Sequence, residues 1–164
     1  MRRVLGIDLG ERRIGIAVAD VDIGIARPLA TIRRGRSTTD DAVELVRIAG
    51  EQDAGELVVG LPLNADGSSG EQARITRQWT DEISALIGLR VTLRDERLTS
   101  HLAEQRLGPM KRGRSGGPPT RAQRDAHRAR VDREAAAIIL QDELDARRQA
   151  TDASTTNDPM ETSR

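Results

Sequence analysis

The stretch GIDLGERRIGIAVAD, residues 6–20, shows how the fold begins. Two apolar runs alternate with a period of two and are separated only by GERR, which predicts a β-hairpin. In the second run, Ile14, Ile16 and Val18 share one face. The first run has Leu5, Ile7 and Leu9 on one face and Val4, Gly6 and Asp8 on the other. The carboxylate of Asp8 needs an explanation, because an unpaired charge is costly to bury in a central strand.

The rest of the chain continues as one strand and then alternating helices and strands. Pro28, inside the third apolar run, indicates a break or an edge strand. After the hairpin we expect a strand within 23–34, a helix at 38–52, a strand at 56–63, a helix at 70–87, a strand at 90–97, a helix from 99 and a long helix at 121–148. This order predicts an α/β fold. Its mixed five-stranded sheet has three antiparallel strands followed by parallel strands, with helices on both faces.

Composition limits the class of protein. With 164 residues, no Phe or Tyr and a single Trp, the chain fits one aliphatic domain over residues 1–148. Residues 149–164 lack periodicity, and we expect a disordered tail. The chain has no cysteine, which excludes disulfides, thiolate zinc sites and a thiol nucleophile. The apolar stretch in MRRVLGIDLG is too short for a signal peptide, and no apolar run reaches about 18 residues, so we expect a cytoplasmic protein outside the membrane.

Three explanations remain open for Asp8. Its side chain could cap the hairpin turn, as Asp often does before Gly. It could instead pair with Arg12 or Arg13, which follow in the connector. The third possibility is that Asp8 binds a metal ion.

Two further acids stand near apolar segments. Glu96 ends the fifth strand, where it could also be solvated or pair with Arg97, and its neighbour Asp95 must point to the opposite face. Asp132 shares a helical face with Ala136 and Ile139, although it could equally lie on a solvated flank. Asp125 and Asp142 are weaker candidates, because neither lies so clearly on the packed face.

A cluster of Asp8, Glu96 and Asp132 would need cations, because three like charges repel strongly. Oxygen ligands without cysteine and with little histidine suit Mg²⁺ or Mn²⁺. Two such ions could hold a phosphodiester and activate water. This pattern therefore favours a metal-dependent nuclease.

Four segments, GIDLGERRIGIAVAD, VVGLPLNADGSSGEQA, DERLTS and RVDREAAAIILQDEL, resemble in order and spacing the motifs of the YqgF/RuvX family. The resemblance covers about residues 1–148. It implies a ribonuclease H-like fold and a cytoplasmic nuclease that trims the 5′ end of pre-16S rRNA. It also implies that Asp8, Glu96 and Asp132 form the acidic, metal-binding catalytic triad. In that fold the fifth strand lies one strand away from the first, so a long Glu side chain is needed there.

The charge of the chain is balanced overall but locally basic. Residues 106–130 hold eight Lys and Arg against one acid, Asp125. Contact with phosphates is the functional interpretation, and a solvated basic surface is the alternative. The predicted nucleic-acid-binding residues are Arg12, Arg13, Lys111, Arg112, Arg114 and Arg121. The expected partner is structured RNA, or branched DNA, bound by a monomer or a homodimer.

Three other functions compete with rRNA processing. A Holliday-junction resolvase-like DNA nuclease would use the same acids. A non-catalytic RNA- or ribosome-binding factor would tolerate the loss of Asp8. A sugar-kinase or actin-like ATPase shares an early DLG sequence, but it needs a second lobe that 164 residues are too few to form.

Overall fold

The computed structural model describes residues 2–97, 99–110, 112–113 and 115–155. The sequence predicted each of the five strands and four helices in this part of the chain. In chain order they are β1 (Arg3–Leu9), β2 (Arg13–Asp20), β3 (Ile25–Arg33), α1 (Thr38–Gln52), β4 (Ala54–Pro62), α2 (Glu71–Ile87), β5 (Arg90–Glu96), α3 (Thr99–Leu107) and α4 (Arg121–Thr155).

The strands form one mixed sheet in the order β3-β2-β1-β4-β5. The β1–β2 and β2–β3 pairs are antiparallel, whereas β1–β4 and β4–β5 are parallel. The predicted fold class is therefore confirmed. Pro28 lies in the edge strand β3, beside a register shift, where its missing N–H costs the sheet little.

The first face of the sheet packs against α1 and α2. Leu5, Ile7, Ile14 and Ile16 are fully buried there, as the alternation of the hairpin predicts, together with Trp79 of α2. The indole Nε1–H of Trp79 donates to Asp41 Oδ2 at 3.0 Å. Because the buried Asp41 also accepts a hydrogen bond from a backbone N–H, this contact joins the two helices without leaving a polar atom unpaired.

The second face packs against α4, and glycines let the helix come close. A Cβ at Gly6 would lie 2.6 Å from the carbonyl oxygen of Ala136. At Gly15 it would overlap the carbonyl oxygen of Asp132. Gly15 is also the partner of Asp8 across the β1–β2 ladder. The missing side chain beside Asp8 therefore makes room for the part of α4 that carries Asp132.

Helix α4 continues seven residues past its predicted end at Arg148. Residues 149–155 are exposed and have no apolar face, which is why periodicity did not indicate them. Local bonds support this end, for example from Thr151 Oγ1 to the Arg147 carbonyl oxygen at 3.0 Å. Residues 156–164 lie outside the described residues, so the disordered tail stays a prediction. Within the described part of the chain, no helix is both long and apolar enough to span a membrane.

Candidate active site

Asp8 lies near the carboxyl end of β1, on the face covered by α4. Burial, and to a smaller extent the negative charge of Asp132, raise the pKa of its carboxyl from 3.8 to about 7. Among the described residues, none forms a hydrogen bond or an ion pair with the Asp8 side chain. The turn after β1 is closed by the backbone, with Gly10 N–H donating to the Arg13 carbonyl oxygen at 2.9 Å. The described part of the chain therefore supports neither the turn cap nor the arginine pair.

Glu96 ends β5 and is 9% exposed, whereas Asp95 is exposed on the other side of the strand. The Thr99 hydroxyl donates to Glu96 Oε2 at 3.0 Å. The other oxygen, Oε1, is buried without a hydrogen-bond partner, but it forms an ion pair with Arg94 Nε at 3.6 Å, an atom that likewise lacks a hydrogen bond. Burial, together with the charge of Asp142, raises the pKa of Glu96 to about 7.

Asp8 and Glu96 line the same pocket, which has a volume of about 280 Å³. Strand β4 separates their strands, so the longer glutamate side chain comes from the more distant one, as the resemblance implies. The remaining wall is formed by Gly60, Pro62, Leu63, Thr99, Ser100, His101 and Ile139. Two acidic side chains from distant parts of the sequence thus meet in one cleft at the ends of parallel strands.

Asp132 lines a neighbouring pocket of about 430 Å³, formed by Gly10, Glu11, Arg12, Arg13, Arg128 and Asp132 itself. Its Oδ2 accepts a hydrogen bond from Arg13 Nε at 2.6 Å. The charge of Asp132 still reaches Asp8 and raises its pKa. In the parts of the chain that are described, no three acidic or histidine side chains are grouped closely enough to hold a metal ion. The structure thus joins Asp8 with Glu96 and leaves Asp132 paired with arginine.

Three residues at this site were missed or rated low from the sequence. Asp142, considered a weak candidate, lies close enough to Glu96 for its negative charge to raise the pKa of that carboxyl. It follows Ile139, which lines the pocket, by three residues, and this helical spacing could have indicated it. Thr99 holds Glu96, and His101, whose default assignment was a surface role, lines the pocket although it is exposed.

The predicted phosphate-binding residues differ in their exposure to solvent. Arg12, Arg112 and Arg121 are exposed, and Arg121 has a weak pair with Asp125 at 4.0 Å. Arg13 is partly buried in its pair with Asp132. Lys111 and Arg114 lie outside the described residues.

The donor atoms of the pocket fit a hard divalent cation. Asp8 and Glu96 offer only carboxylate oxygens, and the buried Glu96 Oε1 has no hydrogen bond to satisfy it. Mg²⁺ is commonly held by one or two carboxylates, with substrate phosphates and water completing its shell. Two carboxylates therefore match the protein ligands that such an ion commonly has.

The chain has a ribonuclease H-like fold. A Thermus thermophilus RuvC structure, in complex with a Holliday junction substrate, has a similar fold, with a TM-score of 0.50 at 15% identity. The similarity covers 90% of this chain and 96% of that one. The profile of the RuvX family, described as Holliday junction resolvase, matches residues 2–146. The chain therefore belongs to the RuvX family, a family of nucleases, and is a hydrolase of phosphodiester bonds.

Individual relatives agree with this assignment. A protein of Anaeromyxobacter dehalogenans named "Putative pre-16S rRNA nuclease" is 43% identical over 145 residues, which is 88% of this chain and 98% of the relative. Relatives with the same name occur in Chloroflexus aurantiacus, at 41% identity over 88% of both chains, and in Gluconobacter oxydans. The Gluconobacter protein is 43% identical, covering 90% of this chain and 86% of its own length.

Proposed function

We propose that this protein is a divalent-metal-dependent nuclease that processes the 5′ end of pre-16S rRNA in the cytoplasm. The name shared by its relatives supports the substrate. The observation that carries the chemistry is the pocket shared by Asp8 and Glu96, in which a buried glutamate oxygen has no hydrogen-bond partner. Hard oxygen donors in a cleft are suited to Mg²⁺ or Mn²⁺, and such an ion polarises a phosphoryl oxygen and lowers the pKa of bound water.

Each acidic residue has a separate role in this proposal. Asp8 and Glu96 are the metal ligands that share the pocket, and Asp132 joins them from α4. The Thr99 hydroxyl orients Glu96 through its hydrogen bond to Oε2, and Oε1, which accepts no hydrogen bond, lies in an ion pair with Arg94 that a bound ion would have to replace. Substitution of any of the three acids by its amide would remove a negative charge that attracts the cation.

The arginines have the second role, which is to hold the substrate. Arg12 and Arg13 lie beside Asp132, so a phosphate held there is next to the acidic residues. Arg112 and Arg121 are exposed and would contact more distant phosphates, which fixes position rather than sequence. Lys111 and Arg114 remain in the proposal on the strength of the sequence.

The first test is cleavage of a 5′-extended 16S rRNA fragment with Mg²⁺ or Mn²⁺ by wild type and Asp8→Asn. We expect Asp8→Asn to lose more than about 100-fold in rate, since loss of a group that only supports a metal ligand already costs roughly 10- to 100-fold. Asp95→Asn removes an exposed carboxylate close to Glu96 in sequence and should keep the activity. Equal rates in wild type and a folded Asp8→Asn protein would contradict the proposal and favour a non-catalytic RNA- or ribosome-binding factor.

A DNA substrate is the second candidate, because the family profile is described as Holliday junction resolvase. The same assay with a four-way DNA junction in place of RNA separates the two. Faster metal-dependent cleavage of the junction than of the rRNA fragment would replace the RNA proposal by this one. The pocket and its acidic residues would serve both substrates, so the Asp8→Asn control applies unchanged.

A further inference from the structure

Arg13 and Asp132 form an ion pair that joins the hairpin to α4. Arg13 Nε lies 2.6 Å from Asp132 Oδ2, and the two residues are 119 positions apart in the chain. Their side chains are 28% and 22% exposed, so the pair is largely shielded from solvent but can still be reached from it. A short, charge-assisted bond of this kind fixes the direction of the aspartate side chain.

This pair lies in a pocket whose lining has more arginines than acids. Arg12 and Arg128 line the same pocket, and both are exposed. Neither of them forms an ion pair with any described residue. Three guanidinium groups face only two acids there, Glu11 and Asp132. A phosphate entering this pocket would meet two free arginines and a third that is already engaged.

We propose that Arg13 is a positioning residue that holds Asp132 away from the metal ligands until a backbone phosphate of the nucleic acid enters the arginine pocket. The phosphate then takes over the Arg13 guanidinium, and the Asp132 carboxylate is released to turn toward Asp8. The proposal rests on the proposed function, since it takes nucleic acid as the substrate. It adds that the acidic site is completed by the substrate rather than preformed.

Charge balance gives the physical reason for this coupling. Once Arg13 releases Asp132, the carboxylates of Asp132 and Asp8 would face each other. This arrangement is unfavourable unless a cation lies between them. Phosphate and cation therefore favour the same rearrangement and should strengthen each other's binding, by the same factor in both directions. The same charge balance explains why Asp8 and Glu96 share a pocket while Asp132, close by, is paired with Arg13.

The test measures the dissociation constant of Mn²⁺ by electron paramagnetic resonance, without nucleic acid. The proteins are wild type, Arg13→Gln, Asp132→Asn, the double variant and Arg12→Gln. Arg13→Gln should bind Mn²⁺ about 5-fold or more tightly than wild type, the lower end of typical coupling between two sites. Arg12→Gln removes the same charge from the same turn without freeing Asp132, and should change the affinity much less.

The double variant separates release of Asp132 from a general loss of positive charge. In the Asp132→Asn background, Arg13→Gln should have no effect, because no carboxylate remains to be released. Equal tightening in both backgrounds, or no tightening by Arg13→Gln, would overturn the proposal. Should Arg13→Gln fail to fold by circular dichroism, Arg13→Lys, which loses the directed Nε bond, replaces it with the same expected direction and the same criteria.

Sulfate tests the phosphate side of the coupling. Replacing perchlorate by sulfate at constant ionic strength should tighten Mn²⁺ binding by wild type and leave Arg13→Gln unchanged. If sulfate has no effect on wild type, or has the same effect on Arg13→Gln, the arginine pocket does not control Asp132. Because no cleavage is measured, failure here leaves the rRNA proposal standing, and failure of rRNA cleavage leaves these affinities as an independent result.

Discussion

At the scale of single residues, the stability of the metal-free protein should depend on Asp8. The pKa of its carboxyl is about 7 in the folded protein and 3.8 in an unfolded chain. Between these values the folded state binds more protons than the unfolded state. The contribution of Asp8 to stability is therefore fully present below about pH 4 and is lost as the pH rises through about 7.

In Asp8→Asn the stability should not fall as the pH rises through 7, because the amide stays neutral. In the presence of EDTA at pH 8, we expect Asp8→Asn to raise the free energy of unfolding by about 1–3 kcal/mol over wild type. Near pH 4 the difference should largely vanish. Urea denaturation at both pH values measures it, with Asp95→Asn as an exposed control. An Asp8→Asn variant no more stable than wild type at pH 8 would show that the Asp8 carboxylate is well solvated.

Thr99 allows a test of how Glu96 is held. Thr99→Val keeps the shape but removes the hydroxyl that donates to Glu96 Oε2. We expect a loss of about 10-fold in cleavage rate, the lower end for groups that orient a metal ligand, with the fold retained. Thr99→Ser restores the hydroxyl and should recover most of the rate. If Thr99→Ser is as slow as Thr99→Val, the methyl group matters and the hydrogen bond does not.

At the scale of elements, the contact of α4 with the sheet depends on residues that lack side chains. Gly15→Ala places a methyl group against the carbonyl oxygen of Asp132, so α4 must shift. We expect a loss of about 1–3 kcal/mol in the free energy of unfolding, as for overpacked cores, together with weaker Mn²⁺ binding.

The matched control is Gly50→Ala in α1. A Cβ at Gly50 meets no atom within 4 Å, and alanine favours a helix, so this change should be neutral or stabilising by about 0.5–1 kcal/mol. Thermal unfolding of both variants gives the comparison. Equal stability of Gly15→Ala and wild type would mean that α4 has room to move away from β2.

The elements themselves could be predicted because each has a local signal. The alternation in β1 and β2 assigned their faces correctly, and Ser37 caps α1 through a bond from Asp40 N–H at 3.2 Å. Contacts between distant elements had no such signal. The approach of Asp142 to Glu96 depends on the angle at which α4 crosses the sheet. The pairing of Arg13 with Asp132, rather than with Asp8, depends on the same angle.

At the scale of the whole molecule, the net charge is zero, but the surface around the arginine pocket is basic. Binding of RNA should therefore weaken steeply with salt, because each neutralised phosphate releases counterions. In the Asp8→Asn background, which prevents cleavage, Arg128→Gln should reduce the slope of log affinity against log salt by about 0.7–0.9. Affinities across a salt series measure this slope.

Arg77→Gln is the control for this measurement. Arg77 is an exposed arginine of α2, on the face of the sheet opposite α4, and its loss removes the same charge from the molecule. The slope should not change in Arg77→Gln. If both substitutions reduce the slope equally, RNA is bound without preference for the arginine pocket.

The single indole of Trp79 has a practical consequence for all these measurements. With no tyrosine or phenylalanine in the chain, it is the only aromatic fluorophore, and it is buried between the sheet and α1 on the side away from the active site. Intrinsic emission therefore follows the melting of that layer alone. Far-ultraviolet dichroism, to which the 35-residue α4 contributes, also follows the other layer. Coincident curves from the two signals would show that both layers melt together, and an earlier dichroism curve would reveal α4 leaving first.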